Sequence, residues 1–82
     1  MDSAKLKGKL VEHELSQKKA AEAIGVSLTR FNAKLNAYDG AEFSLGEVRA
    51  LRDLLSLSAE QVDEIFLPKK YLEKVKNRAH SD

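Results

Sequence analysis

A chain of 82 residues is long enough for one small domain with a modest core and leaves no space for a second. Hydrophobic residues at 43% and charged residues at 33% give the balance of a soluble globular chain rather than of a disordered or membrane-embedded one, and no apolar run approaches the length that crosses a bilayer. The absence of cysteine excludes a disulfide framework and thiolate metal sites, and the polar start Met1-Asp2-Ser3-Ala4-Lys5 carries no secretion signal, so a cytoplasmic location is expected.

The net charge of +1 conceals a segregation along the chain. Residues 1–38 hold seven Lys/Arg against four Asp/Glu, residues 39–66 two against seven, and residues 67–82 five against two. Such blocks are compatible with plain solvated helix faces, and equally with a basic N-terminal face that meets phosphates.

In chain order, the first helix is expected from about Ser3 to Glu14, with Leu6 and Leu10 on one face and Ala4 and Val11 nearby. Ser16 supplies the N-cap of a short second helix, Gln17 to Ala23, which runs out through Ile24 at Gly25. Ser27 caps a third, from Leu28 to about Asn36, after which Ala37-Tyr38-Asp39-Gly40-Ala41-Glu42-Phe43 reads as a turn built around Asp-Gly. Ser44 and Glu47 have the spacing of a capping box ahead of Leu45, Val48, Leu51 and Leu55. Ser58 and Gln61 repeat that box ahead of an Ala59/Val62/Phe66 stripe, which Pro68 ends. Residues 68–82 form a basic tail, read either as a frayed helix through Tyr71, Leu72 and Val75 or as disordered. The expected fold is therefore all-α, a compact bundle of about five short helices in residues 1–67.

Two helices as short as the second and third are not stable alone in water and must be braced by packing. Ala20 and Ala21 are small enough for close approach, and Ile24, Val26 and Phe31 suit an apolar seam between the two. Gly25 gives the sharp turn that sets such a pair at a steep angle. In Gln17, Ala21, Gly25, Val26 and Phe31 the sequence resembles the helix-turn-helix regulators of the Cro and phage-repressor type. Through Lys34-Leu35-Asn36, Phe43-Ser44 and Glu47-Val48 it further resembles a group of small phage and prophage regulators. The resemblance covers roughly positions 5 to 66. It implies a lambda-repressor-like bundle with the helix-turn-helix at helices 2 and 3, and base reading by exposed residues near the start of the second motif helix. Lys34 departs from the broader pattern, where an apolar residue is usual; Leu35 is expected to take over the packing while Lys34 buries its stem and projects its amine.

At 100° per residue from Leu28, Thr29, Asn32, Ala33 and Asn36 fall between about 40° and 140°, and Phe31 and Leu35 near −60° and −20°. The free face therefore carries short side chains suited to a major groove: Asn pairs with adenine, Thr donates or accepts, and Ala meets a thymine methyl. Leu28, Thr29, Asn32 and Ala33 are the candidate base readers. Asn32 and Thr29 have the alternative of simple solvated positions, and Leu28 that of core-edge packing with Phe31 and Leu35. Gln17 and Ser27 are candidate phosphate contacts as well as helix-start residues, and Lys18, Lys19, Arg30 and Lys34 are candidate phosphate partners. Asn36 either clamps a phosphate or merely ends its helix.

His13 and His80 stand far apart without a metal-ligand pattern, and no nucleophile turn or phosphate-cradling glycine loop is present, so neither enzyme activity nor a cofactor or small-molecule substrate is expected. The expectation is a sequence-specific binder of double-stranded DNA, acting at an operator as a repressor or Cro-like regulator and as a homodimer, because one short helix reads few bases. The competing reading is a helical adaptor of the antitoxin or anti-regulator kind, whose acidic residues 39–66 face a basic polypeptide.

Overall fold

A computed structural model describes residues 1–67 of the chain. Among these residues there are five α-helices and no strand: α1 (Ser3–Glu12), α2 (Gln17–Ile24), α3 (Leu28–Leu35), α4 (Leu45–Leu54) and α5 (Ala59–Phe66), with a 3-10 turn at Tyr38–Gly40 between α3 and α4. None of these helices is long and apolar enough to cross a membrane. The expected stop at Pro68, the basic tail and the Tyr71/Leu72/Val75 segment lie outside the described residues.

Each helix start is fixed by a side chain that satisfies a backbone N–H left free by the first turn. Asp2 caps α1 by accepting from the Lys5 N–H. The Oγ atoms of Ser16, Ser27, Ser44 and Ser58 accept from the N–H groups of Lys19, Arg30, Glu47 and Gln61 at 3.1–3.2 Å. Both capping boxes close, since Glu47 and Gln61 accept in return from the N–H groups of Ser44 and Ser58.

The helix ends follow a second local rule. Gly25 lies at φ 81°, its N–H bonds to Glu22 O, and the next N–H, of Val26, reaches back to Ala21 O at 3.0 Å. This is a Schellman stop, which needs a left-handed residue that glycine supplies without a Cβ penalty. The same pair of bonds ends α1 at Glu14 and Leu15 and α4 at Ser56 and Leu57, with Glu14 at φ 54° and Ser56 at φ 51°. That turn is why α1 stops at Glu12 and not at Glu14.

The core gathers Leu6 and Leu10 of α1, Ala20 and Ala21 of α2, Phe31 and Leu35 of α3, Leu51 of α4, Leu55 and Leu57 beyond it, and Ile65 of α5. Phe31 is fully buried and meets the Phe43 ring edge-on at 5.5 Å, and Phe43 meets Phe66 in the same way at 6.3 Å. Ile65 is the buried residue of α5, although it lies outside the Ala59/Val62/Phe66 stripe; Ala59 is exposed and Val62 and Phe66 are half-buried. Val11 is 76% exposed, because at 100° per residue it sits about 120° away from the Leu6/Leu10 face. The amino terminus is tied down by Asp2 N–H to Ile65 O at 2.6 Å and by the Ser3 hydroxyl, which donates to Leu35 O at 2.6 Å. The first residues of α1 thereby brace the ends of both α3 and α5.

Candidate nucleic-acid interface

The geometry of the α2–α3 pair starts from its caps. Ser16 and Ser27 hold the two helix starts, the Gly25 turn separates them, and Ala20 and Ala21 let α2 pack closely against α3 and α4. Ile24 and Val26 are half-buried against the core, and Phe31 and Leu35 are fully buried, so the inner face of α3 is fixed by packing. The opposite face follows from the helical period. Thr29 and Asn32 are exposed and Ala33 is half-buried, so the three stand away from Phe31 and Leu35.

Leu28 is 43% exposed. At the first position of α3 its side chain leans toward the helix start, past the packed region, and so does not complete a stripe with Phe31 and Leu35. Leu45, at the corresponding position of α4, is 67% exposed for the same reason. Ser27 is exposed, with its hydroxyl accepting from the Arg30 N–H, and Gln17 is half-buried at the start of α2.

Four cations line the starts of α2 and α3 and the side of α1. Lys7, Lys18, Lys19 and Arg30 are exposed and make no ion pair with any described residue. Their charge is therefore open to an anionic partner at full strength, whereas Lys5 and Lys9 face Glu64 and Glu12 at 3.8 and 3.1 Å. Lys7 is absent from the candidates drawn from the sequence, since nothing local to α1 places it beside α3. Its Nζ lies 3.3 Å from Asn36 Oδ1.

Lys34 is set apart from the other cations. Its Nζ reaches both carboxylate oxygens of Glu47, at 2.6 and 2.7 Å, and the two side chains are only 18% and 15% exposed. The stem is buried as the sequence suggests, but the amine projects onto α4 and not outward. Hydrogen bonding from Lys34 holds the Glu47 carboxyl below its usual range, with the Ser44 N–H adding to the effect and burial opposing it. Asn36 ends α3 and turns its amide back along the helix, donating to Asn32 O and Asn32 Oδ1, both at 2.9 Å.

The α2–α3 unit has a polar helix face of short side chains on α3, a serine-capped start on each helix, and unpaired cations at the start of α2, on α3 and on α1. Comparison of the chain with protein-family models, with curated proteins and with solved structures finds no match, and the site rests on this geometry alone.

Proposed function

We propose that this chain binds double-stranded DNA sequence-specifically, laying α3 in the major groove as a repressor or Cro-like regulator at an operator. The observation that carries the reading is the division of α3: Phe31 and Leu35 are wholly buried while Thr29 and Asn32 stand exposed beside the unpaired Arg30. Thr29, Asn32 and Ala33, with the half-exposed Leu28, supply hydrogen-bonding and methyl-sized contacts to base edges. Lys18, Lys19 and Arg30 meet phosphates, together with the helix starts at Gln17 and Ser27. A homodimer on paired half-sites gives the number of bases read that a single eight-residue helix lacks.

Selection of bound duplexes from a random pool tests the ligand class, and a symmetric consensus is the outcome expected of a dimer. On the selected duplex, Thr29→Ala and Asn32→Ala each weaken binding by about 1–3 kcal/mol and relax the consensus at one position. Lys19→Ala weakens all duplexes alike, and log K falls linearly with log salt. If the α3 substitutions leave the consensus intact, α3 is not the reading helix. Binding of a polypeptide that is indifferent to salt, with no duplex enriched, favours the adaptor reading instead.

A further inference from the structure

Three side chains from two helices form a directed chain of hydrogen bonds along the outer side of α3. Lys7 Nζ donates to Asn36 Oδ1 at 3.3 Å, and Asn36 Nδ2 donates to Asn32 O and to Asn32 Oδ1, both at 2.9 Å. An ammonium only donates and a backbone carbonyl only accepts, so Asn36 is held the same way round from both ends of its amide. The second asparagine is then oriented by the first: Asn32 presents its oxygen to Asn36. Its NH2, on an exposed residue, has no hydrogen-bond partner among the described residues and is the end of the amide left to an outside partner. Residues four apart share one helix face, and a side chain at the end of a helix leans back over the preceding turn, which is how Asn36 reaches Asn32.

We propose that Asn36, anchored by Lys7, is a positioning residue that presets Asn32 as a hydrogen-bond donor, so that Asn32 reads guanine. The assignment rests on the duplex-binding reading above. An unconstrained asparagine pairs with adenine by accepting from N6 and donating to N7, and for that it needs its oxygen. In this chain that oxygen is turned back to Asn36, which engages one of its two lone pairs, so a bidentate pair with adenine requires the Asn32 amide to swing off that partner. The outward NH2 matches the guanine edge, where N7 and O6 both accept, and meets the adenine N6 amino group as donor against donor. Asn36 thus acts on specificity without touching a base.

Two measurements separate this assignment from the one beneath it. In the free protein, the side-chain NH2 resonances of Asn36 are expected to shift in Lys7→Ala and in Asn32→Ala; resonances unmoved by both substitutions overturn the chain of hydrogen bonds. Random-duplex selection is then run with the parent protein and with Asn32→Ala, Asn36→Ala and Asn36→Asp. Guanine is expected at the position that Asn32→Ala relaxes, and Asn36→Ala is expected to lower the guanine-over-adenine preference there about tenfold. In Asn36→Asp the carboxylate accepts from the Asn32 NH2 and turns the Asn32 oxygen outward, which moves the preference toward cytosine and its N4 donor. Adenine at that position in the parent, or an Asn36→Ala variant that weakens every duplex equally, overturns the proposal while leaving DNA binding intact. A parent protein that enriches no duplex overturns both.

Discussion

Glu47 serves two partners with one carboxylate. It accepts from the Ser44 N–H as half of a capping box and holds the Lys34 amine through both oxygens. Because both side chains are more than four-fifths buried, removing either partner leaves a poorly solvated charge behind, unlike at an exposed pair. Glu47→Gln isolates the charge, since glutamine closes the same capping box; the loss is expected to be about 1–2 kcal/mol in urea unfolding at neutral pH. The carboxyl is held below its ordinary value of 4.5, so the unfolded chain takes up a proton more readily than the folded one. The ion pair's contribution is therefore complete above that value and is lost as pH falls through the lower folded value. Unfolding midpoints of parent and Glu47→Gln should differ at pH 7 and converge on acidification; a constant gap down to pH 3 would show that the pair's charge contributes nothing. Lys34→Ala, for the same reason, is expected to lower stability and to leave duplex affinity nearly unchanged, in contrast to Lys19→Ala.

Three of the helices end in one backbone device, and the residues placed in its left-handed position differ. A Cβ at Gly25 would meet nothing within 4 Å, so Gly25→Ala suffers only from its φ of 81°. The expected cost is about 1–2 kcal/mol. Glu14 and Ser56 already bear that strain, and Glu14→Gly and Ser56→Gly are each expected to raise stability by about 0.5–1 kcal/mol, the relief being partly offset by the freer unfolded chain. For a domain of this size that amounts to a few degrees in Tm by calorimetry; a lower Tm in both variants would contradict the left-handed geometry. These stops also mark what was legible at this scale. Gly25 and the serine caps announce themselves, because residue type and spacing carry the physics. Glu14 and Ser56 do not, since neither is a residue that prefers a positive φ, and the end of α1 accordingly falls earlier than hydrophobic spacing alone suggests. Ile65 was hidden differently: it lies beside the Ala59/Val62/Phe66 stripe, about 60° around the helix from Val62, and only its packing beside the amino terminus makes it the buried residue.

At the scale of the molecule, the outward face of α3 was readable from helical period alone, because Phe31 and Leu35 can be buried together only if Thr29 and Asn32 point away. The company kept by that face was not readable. Lys34 meets Glu47 thirteen residues on, and Lys7 meets Asn36 twenty-nine residues on, through packing that no local rule specifies. Phe31 is the residue through which the whole arrangement is transmitted: it sits fully buried under α3 and joins it, through the edge-on stack with Phe43 and Phe66, to α5. Truncation to alanine removes a large buried side chain at a cost of about 3–5 kcal/mol, against a total stability of about 3–10 kcal/mol for a domain of this length. Phe31→Ala should therefore be largely unfolded by circular dichroism at 37 °C. That variant alone cannot separate the fold from the site, so Phe43→Leu is the informative companion. It keeps an apolar side chain at a half-buried position and gives up two edge-to-face contacts, for an expected loss of about 1–2 kcal/mol. Phe43→Leu should remain folded and keep the selected consensus, because Phe43 braces α3 from behind and contributes nothing to its outer face. A Phe43→Leu protein that is as stable as the parent would mean that the aromatic stack is not what holds α3 against α5.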